Sequence, residues 1–213
     1  MSMQPPRKDL IALVADKNLE FALRGVLTRP RSLGIREISF EINIHMERDP
    51  GCFQKGAEFL RALVAHYNYA LVVFDRIGSG QEKSARVELE FRVESEMQEC
   101  GWRGRSASIV IDPELDIWIW SNSPHVDRIL GWTKSQLALR RWLVQEAFIN
   151  ASTQKPSRPK EALEAALRLA KKPRSSSIYF SIANKVSLKR CVDPAFLKLK
   201  SVLINWFGTG SSP

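Results

Sequence analysis

The stretch Tyr69–Gly80, YALVVFDRIGSG, decides the fold. Ala70 to Phe74 form an apolar run with two adjacent β-branched valines. Such a run, bounded by turn formers, suits a strand buried on both faces. Asp75 follows at once, then a loop holding Gly78, Ser79 and Gly80. A carboxylate there stands at the carboxyl end of a buried strand, where open α/β sheets place their ligands. The glycines let a backbone or a phosphate come close. Asp75 can equally serve as a helix cap or a turn residue.

Outward from this strand the same pattern recurs. Leu10 to Ala15, LIALVA, is a second apolar strand, and Asp16 ends it. From Asn18, a candidate N-cap, Leu19, Ala22, Leu23, Val26 and Leu27 recur at helical spacing until Pro30. Ile38 to Met46 alternates apolar and polar residues, which marks a strand near a sheet edge. Arg48 to Cys52 reads as a turn, and Phe53 to Tyr67 as a helix. Ser84 to Cys100 reads as a long helix with Val87, Phe91 and Met97 among its inner positions and glutamates outside. Ala107 to Ile111 is a further strand, and Asp112, Glu114 and Asp116 follow it. Strands alternating with helices predict a parallel sheet of about four strands with helices on both faces. The strand ends, with their acids, then lie along one edge.

After Trp120 no strand pattern remains. Helices are expected over Pro124–Leu130, Lys134–Phe148, Lys160–Ala170, Ser177–Val186 and Pro194–Phe207, with an exposed loop at 151–159. The expected organisation is a frayed segment 1–8, an α/β domain 9–122 and a basic helical extension 123–213. Trp118, Trp120, Trp132 and Trp142 fall at the junction and are expected to cement it.

The chain has 213 residues, 44% of them apolar and 26% charged, which is enough for a proper core in a soluble globular protein. No apolar run approaches a membrane span, and MSMQPPRKDL lacks a signal-peptide core. The expectation is a cytoplasmic protein without membrane contact. Cys52, Cys100 and Cys191 form no CxxC pair, so neither a disulfide frame nor a zinc knuckle is indicated. Residues 1–122 carry 16 Lys and Arg against 18 Asp and Glu, a net of 16 − 18 = −2. Residues 123–213 carry 16 against 5, a net of 16 − 5 = +11. A half so basic suits DNA or RNA, and suits docking on an acidic protein as well. Arg158, Lys160, Arg174, Lys189 and Arg190 are the candidate phosphate contacts.

Carboxylates gathered at one edge repel each other unless they share a cation. Mg²⁺ or Mn²⁺ takes such hard oxygen ligands, and a metal there suits phosphodiester chemistry. His45, His66 and His125 are scattered; His45 alone lies on the polar face of its strand near the same edge. There is no GxSxG elbow and no Walker P-loop, since GSGQEKSA lacks the GK[ST] ending.

Three segments, LVADKNLEFALRGVL, VVFDRIGSG and PELDIWIW, resemble the Toprim-like proteins of bacterial defence loci. With RPKEALEAAL, PRSSSIYFSI and LKRCVDPAF, residues 9–207 resemble a small family of methylation-associated systems that act against phage. The resemblance implies a metal-dependent nuclease or nucleic-acid-processing subunit working with other subunits. It implies Asp16, Glu20, Asp75 and Glu114 or Asp116 as catalytic and metal-binding residues. Asp16 and Glu20 match the spacing of the first Toprim acids, with Asp for Glu and Lys17 for Gly. Asp75 and Gly80 match the ends of DxDxxG, but Ile77 stands where its second aspartate belongs. The alternative reading is a non-catalytic subunit that binds nucleic acid or protein, with Lys17 replacing the metal's charge.

Overall fold

The computed structural model describes residues 6–132, 138–150 and 153–209. The expected fraying of residues 1–5 and the start of the helix at Lys134 lie outside them, as do residues 151 and 152 of the expected loop. Four strands form one sheet: β1 (Lys8–Val14), β2 (Phe40–Ile44), β3 (Tyr67–Asp75) and β4 (Ser106–Ile111). The order is β2-β1-β3-β4 and every pair is parallel. The expected α/β class with a four-strand parallel sheet is therefore what the chain adopts. Leu10–Val14 and Ala70–Phe74 are almost wholly buried, as strands covered on both faces require.

The first half supplies α1 (Lys17–Leu27), α2 (Pro30–Leu33), α3 (Arg48–Arg61) and α4 (Arg86–Met97). Asp16, not Asn18, caps α1: its carboxylate accepts from the Leu19 N–H at 2.8 Å. The expected turn at Arg48–Cys52 is the first turn of α3. The inner stripe of α4 also differs. Val87 and Phe91 are exposed, and Leu89, Glu90, Val93 and Met97 face inward.

Glu90 explains that rotation. Its carboxylate accepts from the Val110 N–H at 3.1 Å, while Glu94 accepts from the Ser108 N–H at 3.0 Å. These are the N–H groups of β4 that no neighbouring strand takes, and leaving them buried and unpaired is costly. Lys198 neutralises both acids, at 3.2 Å from Glu90 and 2.6 Å from Glu94.

The second half adds α5 (Pro124–Leu130), α6 (Leu139–Gln145), α7 (Pro159–Leu169), α8 (Ser176–Lys185) and α9 (Pro194–Phe207). Proline opens α5, α7 and α9 at a position where its missing N–H costs nothing. These helices share one core with the sheet. Helices α3 and α4 pack on one sheet face, where Phe74 meets Phe53 at 6.1 Å. Tyr69 points to the opposite face, by strand alternation, and stacks on Trp206 of α9 at 4.6 Å. So α9 fills a place beside β4 that the first half leaves open.

Helix α8 lies along α1 in the same direction. Ser176 donates to Asn18 at 2.8 Å at one end, and Arg29 donates to the Ala183 and Val186 carbonyls at 2.7 Å at the other. Gly25 permits the approach, because a Cβ there would stand 2.8 Å from the Phe180 carbonyl oxygen. The tryptophans expected at the junction make separate contacts, and Trp120 Nε1 donates to the Pro159 carbonyl at 3.0 Å. Trp118 meets Phe196 at 5.6 Å, and Trp132 meets Trp142 at 5.1 Å.

Candidate functional site

In this strand order the chain leaves β1 toward one side of the sheet and β3 toward the other. The carboxyl ends of β1 and β3 therefore flank the point where the winding reverses, the usual ligand crevice of an open α/β sheet. Asp16 follows β1 and Asp75 ends β3. The structure adds Asp49, from the first turn of α3. Its carboxylate accepts from the Asp75 N–H at 2.8 Å, and its other oxygen lies toward the positive-φ turn at Gly78.

These aspartates feel one another. Burial and then Asp49 push the Asp75 carboxyl well above the usual range, with Asp16 and Asp116 adding to the effect. A hydrogen bond from the Leu115 N–H to Asp75 at 2.9 Å opposes it. Burial and Asp16 raise Asp49 against the Asp75 N–H. The Cys52 thiol beneath them is raised by burial, then by Asp49 and Asp16. Among the described residues, none of the three aspartates forms an ion pair with Lys or Arg.

The remaining proposed ligands are occupied. Glu20 pairs with Arg24 at 2.8 Å along α1. Glu114 accepts from the Lys160 N–H at the start of α7, at 3.3 Å. Asp116 is buried, 3.0 Å from Arg174 and 2.9 Å from the Tyr179 hydroxyl. Burial raises its carboxyl while Arg174 holds it down. Lys17 lies over the Phe21 ring at 5.8 Å.

His45, at the same end of the sheet, is buried; its Nδ1 accepts from the Glu47 N–H at 3.1 Å. Asp49 was legible in principle. With Glu47 it is one of two acids soon after the second strand, as Asp16 follows the first and Asp75 ends the third, but the DPG triplet at 49–51 reads locally as a turn.

Mg²⁺ and Mn²⁺ are tested against this donor set. Among the described residues, no three Asp, Glu, His or Cys side chains stand placed to share one ion. The set does not fit a preformed metal cage. What the edge offers is a half-buried carboxylate pair, Asp75 and Asp49, with raised affinity for protons, beside a glycine loop.

The phosphate candidates also separate. Arg158, Lys160, Lys189 and Arg190 are exposed. Arg158 pairs with Glu161 at 3.2 Å. Arg174 is spent on Asp116, Glu164 and Tyr179 and is a clamp between α8 and the segment after β4. No helix among the described residues is long and apolar enough to cross a membrane.

Fold and site together define a class: an open, all-parallel α/β sheet with aspartates at its carboxyl edge. No family model, no curated protein and no solved structure matches the chain.

Proposed function

We propose that the chain is a non-catalytic, nucleic-acid-binding subunit of a bacterial antiviral defence system, on a Toprim-like scaffold that has lost its metal chemistry. One observation carries the reading: the acids that would form the metal site are spent on the fold. Asp16 caps α1, Asp75 takes the Leu115 N–H, Glu114 takes the start of α7, and Asp116 is clamped by Arg174. The net charge of +11 over residues 123–213 supports nucleic acid as the partner, with the exposed Lys160, Lys189 and Arg190 as contacts. Neighbouring subunits of the system are the second class of partner.

A second reading, a Mg²⁺- or Mn²⁺-dependent nuclease, is favoured by the raised carboxyls of Asp75 and Asp49, which form no ion pair with Lys or Arg among the described residues. Duplex and single-stranded DNA and RNA, offered with Mg²⁺ or Mn²⁺ over a salt series, separate the two. The first reading expects retention without cleavage, weakening with salt at about −0.9 in log–log slope per phosphate contact on duplex DNA. Cleavage that Asp75→Asn abolishes establishes the second. Absence of binding at low salt overturns the nucleic-acid assignment in both.

A further inference from the structure

A cavity of about 380 Å³ lies between α1, the segment after β4, α8 and the start of α9, within the size range of small-molecule sites. None of Asp16, Asp49 and Asp75 lines it, and it does not rest on the nucleic-acid reading. Its wall is apolar and partly aromatic: Val26, Ile182, Trp118 and Phe196 line it. Three cations, Arg140, Lys155 and Arg190, also line it, and no Asp or Glu does.

Those cations are incompletely used. The Lys155 ammonium is buried with no hydrogen-bond partner among the described residues. Its nearest acid is Asp193, at 3.7 Å. Asp193 is already engaged, accepting from Trp118 Nε1 at 2.9 Å and from the Ala195 and Phe196 N–H groups at 3.1 Å. A buried ammonium without an acceptor is costly, and folds seldom keep one without a use. The Ser121 hydroxyl, also lining the cavity, is likewise buried and unpartnered. Arg140 donates to the Gln154 and Thr153 carbonyls, at 3.3 and 3.1 Å, and these bonds tie down the segment just before Lys155. Arg190 is exposed at the rim.

We propose that this cavity binds a nucleoside monophosphate. Lys155, Ser121 and Arg190 take the phosphate, which supplies the acceptor oxygens their donors lack. The base lies against Trp118 and the aliphatic wall, since any base presents a face to an indole. Asn122 and Gln154, also in the lining, offer side-chain amides for the base edge or ribose. Two cations and a hydroxyl exceed what a fatty carboxylate needs, and the aromatic wall exceeds what inorganic phosphate needs.

Titration calorimetry on the full chain tests it, with AMP, GMP, CMP and UMP, and with adenosine, inorganic phosphate and laurate as comparisons. At least one monophosphate should bind, with adenosine, phosphate and laurate each at least about tenfold weaker. Lys155→Met and Arg190→Glu should each weaken that binding at least about tenfold. Arg168→Glu, exposed on α7 and outside the lining, should leave it unchanged. Arg190 is exposed, so its variant decides the matter if Lys155→Met folds poorly. No binding of any monophosphate at about 1 mM overturns the proposal. So does phosphate or laurate binding as tightly, or affinity unchanged in Arg190→Glu.

Discussion

Arg174 and Asp116, 58 residues apart in sequence, meet at 3.0 Å and join α8 to the segment that follows β4. The pair turns a candidate phosphate contact and a candidate metal ligand into one internal clamp, completed by Tyr179 and Glu164.

Arg174→Met should therefore act on stability rather than on binding. It leaves the buried Asp116 carboxylate without its cation, a defect that typically costs about 3–5 kcal/mol. Urea denaturation at neutral pH measures the loss. Affinity for nucleic acid per folded molecule should stay at the parent's level, whereas Lys160→Glu lowers it. A loss below about 1 kcal/mol would mean the clamp does not hold Asp116.

Asp75→Asn should keep the fold and raise its stability at neutral pH. The amide oxygen still accepts from the Leu115 N–H, and the charge facing Asp49 is gone. In the unfolded chain Asp75 titrates near 3.8, and in the folded chain well above it. Between those values the folded state holds more protons than the unfolded state, so stability falls as pH rises through that window. The favourable contribution is full below 3.8 and is lost once pH passes the raised value. Melting temperatures between about pH 4 and pH 7 should fall more steeply for the parent than for the variant. A variant that melts lower at neutral pH would assign Asp75 a structural role only.

Gly25→Ala sets two effects against each other. Helix propensity alone favours alanine by about 1 kcal/mol. The added Cβ would meet the Phe180 carbonyl oxygen at 2.8 Å and the Ala183 Cβ at 2.9 Å, so α1 and α8 must part. Overpacking of this kind typically costs about 1–3 kcal/mol, and the sign should be destabilising. Chemical denaturation reads it directly, and a stabilised variant would mean that α8 does not rest on α1.

The strands around Leu10–Val14 and Ala70–Phe74 were legible because burial on both faces leaves a local signature, an unbroken apolar run. The helix faces were less so. Glu90 takes a buried position on α4 for the sake of two β4 amides shared with Glu94, so the polar–apolar pattern there points the wrong way and Phe91 is exposed. Asp16 and Asp75 at one edge could be expected from strand order, and Asp49 was hidden by turn-forming neighbours. The fates of Arg174, Glu114 and Asp116 depend on which helix of the second half returns to the sheet. That is decided by contacts between residues far apart in sequence, and no local pattern carries it.

Glu90 and Glu94 also bear on how copies of this chain can meet. An incoming strand would have to displace both carboxylates and strip Lys198 of its partners before it could bond to β4. The sheet can be extended only past β2, whose outer side pairs with no strand among the described residues. A template open on one side joins two molecules and stops, so strand pairing can close a dimer of this protein but cannot propagate a fibre.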